Sequence, residues 1–287
     1  MDTSKSKIKN QKLKIKLGFS PCPNDIFIFE AIVNKRIDTE GLEFKFTIAD
    51  VEELNKLVLG GNIEVSKLSF FCYGLVWETY QLLNSGSALG YNCGPLLISN
   101  KNYSINDVKN LNIALPGEHT TANFLFSMAF PDAVKKKFIL FSDIEEAVLN
   151  GSFDAGVIIH ENRFTYEQKG LKKIIDLGEY WEEQTKLPVP LGGIAIKRSL
   201  DAEIKCKIDR IIRKSIEYAF AFPDLSLDFI RKNAQSMSDE IIRKHIHLYV
   251  NDLSISLDNK GKETIMVFYK KASELKLIPK MTEDIFI

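Results

Sequence analysis

The sequence predicts an α/β protein of two lobes around a central cleft, completed by a helical C-terminal segment. Three observations carry that expectation. Short β-rich runs alternate with longer helical ones from Leu13 onward, the alternation breaks at a glycine-punctuated stretch and begins again, and everything past Leu200 has helical spacing. With 287 residues, 45% of them hydrophobic, the chain has ample material for the core of such a fold.

LKIKLGF reads as the first strand and DIFIFEAIVNKR as a helix with Asp25 near its start. LEFKFTIA alternates apolar and polar residues as a strand, VEELNKLVLGG is a helix closed by Gly60 and Gly61, and IEVSKLSF is the third strand. The order β-α-β-α-β implies a parallel sheet. FCYGLVWETYQLL and NSGSALGYNCGPLLISN follow, the last residues reading as a strand that leaves the first lobe.

The second alternation runs through LNIALPG (strand), HTTANFLFSMAF (helix), KFILF (strand), IEEAVLNG (helix), FDAGVIIH (strand), KKIIDLG (strand) and WEEQTK (helix). PVPLGGIAIKRS returns toward the first lobe, and four helical periods follow, with Ser226 and Ser238 as expected N-caps. The predicted organisation is one lobe of 13–99 plus 197–287, a second of 100–196, and a lysine-rich tail over 1–12. Two crossings, near residues 100 and 195, enclose a cleft of the kind in which small ligands bind.

Charge and motif content narrow the function. Thirty-eight basic residues balance thirty-eight acidic ones, so no net field draws in nucleic acid or an anionic membrane. No apolar run reaches transmembrane length, and MDTSKSKIKNQKLKIK has no apolar h-region, so the expectation is a cytoplasmic protein with a small-molecule partner. Cys22, Cys72, Cys93 and Cys206 lack metal-ligand spacing, and none of the common nucleotide, zinc-protease or serine-hydrolase motifs is present.

His160 ends DAGVIIH at the C-terminal edge of a strand, where ligands sit in open α/β sheets; it reads either as a base or as a structural ring held by a backbone carbonyl or Glu161. PGEHTTANF turns into a helix at Thr120 or Thr121, an anion-binding start suited to a carboxylate, or a plain cap beside an exposed His119. Ser66, Lys67 and Ser69 end the third strand and face the cleft or merely finish the strand. His245 and His247, two apart on a helix, read as surface or packing residues. SPCPND reads as a stiff strand-to-helix turn in which Asn24 and Asp25 satisfy helix-start amides, while Cys22 packs rather than reacts.

Together, SPCPNDIFIF, SKLSF, PGEHTTANFLF, DAGVIIHENRFTY and DLGEYWEEQTKLPVPLG resemble the 1,4-dihydroxy-6-naphthoate synthase family of the futalosine route to menaquinone, in consistent order from about Leu13 to the C-terminus. The resemblance implies the two-lobe fold of type II periplasmic solute-binding proteins. It implies a carbon-carbon lyase that fragments cyclic dehypoxanthinyl futalosine without metal or organic cofactor, the substrate ketone acting as electron sink.

By motif, the resemblance makes His160 the proton acceptor and Ser66, Lys67, Leu68, Thr121 and Ala122 substrate-binding residues, with Asn24, Asp25, Ser69 and Thr120 as further candidates for the cleft wall. Ser66 departs from the threonine common in the family, and the lysine-rich N-terminal extension is a second departure, with no role assigned to it. Two rivals share the fold: a non-catalytic solute-binding protein and a chorismate dehydratase. Oligomeric state is left open.

Overall fold

The computed structural model describes residues 13–233, 238–282 and 284–287; the expected tail over 1–12, and Ala234 at the end of one expected helix, lie outside them. In chain order, β1 (Lys14–Phe19), α1 (Pro23–Val33), β2 (Glu43–Ile48), α2 (Val51–Leu59) and β3 (Val65–Ser69) form the first alternation. A one-turn helix α3 (Phe70–Tyr73) and short strands β4 (Tyr80–Leu82), β5 (Ala88–Gly90) and β6 (Leu96–Ser99) follow. Then come β7 (Ile113–Leu115), α4 (Thr121–Ala129), β8 (Lys136–Phe138), α5 (Ile144–Leu149), β9 (Ala155–Ile158), β10 (Lys172–Asp176), α6 (Leu177–Thr185) and β11 (Val189–Lys197). The helices α7 (Ala202–Ala221), α8 (Pro223–Asn233), α9 (Asp239–Tyr249), α10 (Asp252–Ile255) and α11 (Asn259–Glu274) complete the chain.

The strands form two sheets. The first has the order β2-β1-β3-β11-β4, with β5 also on β11; β1, β2 and β3 are parallel and β11 runs against its neighbours. The second has the order β10-β6-β9-β7-β8, with β7 parallel to β8 and β9 and the other pairs antiparallel. Strand Leu96–Ser99, expected to close the first lobe, pairs with β9 and β10 in the second sheet, and Val189–Ile196 belongs to the first. The chain therefore changes sheets around 91–95 and 186–188, several residues before the expected crossings. Burial of a short strand does not reveal which sheet it joins, because both give the same apolar run.

At the first crossing Gly94 lies against Gly178 at the start of α6: a Cβ on Gly94 would meet the Gly178 Cα at 2.3 Å. Only two glycines allow these backbones to touch. Arg163 fastens the same point, donating from Nη1 to the Gly94 carbonyl at 2.6 Å and from Nη2 to Asp176 at 2.8 Å. Asp176 is in turn the cap of α6, accepting from the amides of Gly178 and Glu179.

The C-terminal helices tie into both halves. Phe268 of α11 lies 4.3 Å, centroid to centroid, from Phe124 of α4 and 5.8 Å from Trp181 of α6. Such aromatic pairs contribute about 0.5–1.5 kcal/mol each beyond their buried area. On the other flank α7, α8 and α9 cover α1, whose residues from Pro23 to Ile32 are all buried.

Two expected caps change. The Ser226 cap fails because α8 starts at Pro223, which suits a first helical turn, so Ser226 lies buried inside the helix. Asp25 does not cap α1: Pro23 lacks an amide hydrogen, and the carboxylate turns back to accept from the Ser20 amide and hydroxyl. Ser238 does cap α9, accepting from the Ile241 amide. Among the described residues no helix is long and apolar enough to cross a membrane.

Candidate active site

A cleft, partly open to solvent, runs between the sheets. The carboxyl ends of β1 and β3 bring Ser20, Asn24, Asp25, Lys67, Leu68 and Ser69 to its wall; the start of α4 brings Thr120, Thr121 and Ala122, and the end of β9 brings His160. Sheet topology explains this convergence, since the loops following parallel strands all open on one edge. Ser66 is the exception. Its fully buried side chain lies against Gly18 of β1 and its hydroxyl donates to the Lys67 carbonyl at 2.9 Å, so the Ser66 side chain does not line the cleft wall.

Buried charge organises one wall. The Lys67 ammonium, 5% exposed, lies 3.3 Å from Asp25 Oδ1 and donates to the Gly86 carbonyl at 2.7 Å. Asp25, 2% exposed, also accepts from the Ser20 amide at 3.1 Å, the Ser20 hydroxyl at 2.7 Å and the Asn24 amide at 2.9 Å. An ammonium has three donors, and two are used here, which leaves one N–H of Lys67 for a ligand.

Opposite, α4 offers its first turn. Thr120 caps it, its hydroxyl donating to the Gly117 carbonyl and accepting from the Asn123 amide at 3.2 Å. Thr121 donates to the Leu191 carbonyl at 2.7 Å, tying α4 to β11. Thr121 and Ala122 line the cleft from the first turn of α4, where the backbone amides have no carbonyl of the helix itself in reach and the helix presents its positive dipole end. His119 stays outside this wall: its Nδ1 pairs with Glu52 Oε1 of α2 at 2.7 Å, and Asn55 donates to its carbonyl, joining the two halves.

His160 is held unusually. Its backbone has φ +60°, a left-handed conformation that costs a non-glycine residue about 1–3 kcal/mol and recurs at functional positions. Nδ1 lies 3.5 Å from Cys22 Sγ, the Phe141 ring meets the imidazole edge at 5.2 Å, and Nε2 is buried with no hydrogen-bond partner among the described residues. An unpaired buried nitrogen is costly, and a substrate atom arriving there would satisfy it.

Cys22 itself is a packed thiol. Burial first, then the negative charges of Glu161 and Asp25, raise its pKa well above the ordinary thiol value. Native protein treated with iodoacetamide should therefore be labelled at exposed Cys206, with Cys22, Cys72 and Cys93 modified only after unfolding, as read by peptide mass mapping. Rapid native labelling of Cys22 would make it a reactive thiol instead.

Among the contributors that sequence reasoning missed, such as Leu191 and Gly192 of β11, α9 is the most consequential. α9 brings Tyr249 to the cleft wall and places His245 beneath it, fully buried, donating from Nε2 to Asn24 Oδ1 at 2.9 Å. The helix was legible; its docking against α1 and the segment after β9 is a long-range fact with no local signal. His247 is exposed, in keeping with its surface reading.

A family model described as menaquinone biosynthesis matches residues 15–274. The chain is 38% identical over 273 residues to a 1,4-dihydroxy-6-naphthoate synthase of Thermus thermophilus, covering 95% of this chain and 99% of that one. It is 34% identical over 275 residues to the enzyme of the same name from Streptomyces coelicolor, covering 94% and 96%. A solved protein of Archaeoglobus fulgidus superposes with a TM-score of 0.88 at 33% identity, covering 92% of this chain and 98% of that one. The periplasmic aliphatic sulphonate binding protein of Escherichia coli superposes at 0.66 with 11% identity, covering 95% and 90%, which shows a shared periplasmic-binding-protein-like fold. With the match running through both sheets and the cleft between them, the chain belongs to the menaquinone biosynthesis family.

Proposed function

We propose that this chain is a carbon-carbon lyase that converts cyclic dehypoxanthinyl futalosine to 1,4-dihydroxy-6-naphthoate, with His160 as the base. Identity of 38% and 34% over nearly the full length of two synthases supports the reaction. The observation that carries the base is His160 itself: an imidazole at the end of β9, in left-handed backbone, with Nε2 unpaired among the described residues.

In this reading neutral His160 removes the proton beside the substrate ketone. The electron pair moves to the carbonyl oxygen; as it returns into the ring, the carbon-carbon bond to a three-carbon fragment of the sugar-derived ring breaks. The fragment leaves with that bond's electron pair and takes a proton back from the His160 imidazolium, and aromatisation of the remaining bicycle draws the fragmentation forward. The free N–H of Lys67 meets the oxygen that gains charge, and the amides of Thr121 and Ala122 hold the carboxylate. Leu68 and Ser69 complete the wall beside Lys67. Preorganised donors in a cleft that excludes water stabilise developing charge far better than water does. Closure of the lobe built on the first sheet against the lobe built on the second, which bracket the cleft, supplies that exclusion. The balanced charge and the small-molecule cleft fit work in the cytoplasm without nucleic acid or membrane as a partner.

Incubating the protein with cyclic dehypoxanthinyl futalosine tests the reading. Appearance of 1,4-dihydroxy-6-naphthoate, followed by liquid chromatography and mass, is expected. Stoichiometric recovery of unchanged substrate would identify a binding protein, and consumption of chorismate in its place would identify the dehydratase.

A further inference from the structure

His245 plays no part in the chemistry above, yet four observations tie it to that chemistry. It is fully buried, its Nε2 lies 2.9 Å from Asn24 Oδ1, its Nδ1 is buried without a partner among the described residues, and its ring lies 6.4 Å from that of His160 at 14° between planes.

The direction of each bond in this chain is determined. Asp25, facing Lys67 and the Ser20 amide and hydroxyl, only accepts. Asn24 therefore turns its NH₂ to Asp25 and its oxygen to His245, so His245 Nε2 is the donor and carries the hydrogen. Nδ1 is then a bare acceptor, the kind of group that tolerates burial without a partner better than an orphaned N–H does. Burial, then the charge of His160, hold the pKa of His245 well below its usual value, so the ring stays neutral while its neighbour takes up a proton.

We propose that His245 is a positioning residue for the lyase site: through Asn24 it fixes the Asp25 carboxylate, and so the direction in which Lys67 presents its remaining N–H to the substrate. The proposal rests on the lyase reading. With the donor gone, the Asn24 amide is free to flip, which sets its oxygen against the Asp25 carboxylate. The ion pair then shifts within the wall. Misplacement by about 1 Å at a distance from the reacting atoms costs on the order of 100-fold in rate.

The experiment compares wild type, His245→Leu and His245→Gln, the last replacing the ring N–H by an amide donor. His245→Leu should lower kcat roughly 10- to 100-fold with a smaller change in KM, and His245→Gln should recover most of it. Nitrogen NMR of the wild type should show His245 with Nε2 protonated and Nδ1 bare, without titration between about pH 5 and 8. This readout is independent of turnover and of whether the leucine variant folds. Wild-type kcat in His245→Leu, equal losses in both variants, the opposite tautomer, or titration in that range would each overturn the proposal. If wild type itself does not convert cyclic dehypoxanthinyl futalosine, the lyase reading fails, while the NMR result still decides the relay.

Discussion

Replacing His160 by alanine should lower turnover of cyclic dehypoxanthinyl futalosine by at least about 10² to 10⁴-fold, the range that a positioned acid-base group supplies. Binding should persist, because the groups read as holding the substrate sit on β3 and α4 rather than on β9. His160→Gly sharpens the test. At φ +60° glycine carries none of the strain a side chain suffers, so this variant should melt no lower than the alanine variant and be equally inactive. Product formation rate and thermal melts check both statements. Wild-type turnover by either variant would remove His160 from the mechanism.

The legible parts of this site are those with local causes. His160 announces itself as a polar residue closing an apolar strand, and Thr120 as a hydroxyl opening a helix after Pro116 and Gly117. The alternation of periods likewise separates nearly every helix from every strand. The short strands Tyr80–Leu82 and Ala88–Gly90 have no signature in the sequence, because three residues are too few to show a period. Ser66 differs from its neighbours because its side chain is covered by Gly18 of the adjacent strand β1, a contact with no local signal.

The Asp25–Lys67 pair joins residues 42 positions apart in sequence through the adjacency of β1 and β3, and His245 reaches Asn24 over 221 positions. No local pattern encodes such contacts. They arise when α9 docks on α1 and the sheet closes, and they convert a stiff turn, SPCPND, into one side of a reaction chamber. The prolines hold the backbone; Asp25, set free of capping by Pro23, supplies the charge.

The second large effect is expected at that charge. Asp25→Ala leaves the Lys67 ammonium, 5% exposed, with the Gly86 carbonyl and no carboxylate, and strips the Ser20 amide and hydroxyl and the Asn24 amide of their acceptor. Breaking a buried pair from one side costs about 3–5 kcal/mol, chiefly as an uncompensated buried charge. For a chain of this size that is a fall in Tm on the order of 10 °C. The double variant Asp25→Ala/Lys67→Met removes the orphaned charge and fills the space with an apolar chain, so most of the lost stability should return. Activity should not return, because the N–H that meets the developing oxyanion is gone as well. Recovery of stability without activity separates the pair's contribution to folding from its contribution to the reaction. Recovery of both would mean that the pair supports the fold alone, and that the oxyanion is met by another donor on the cleft wall.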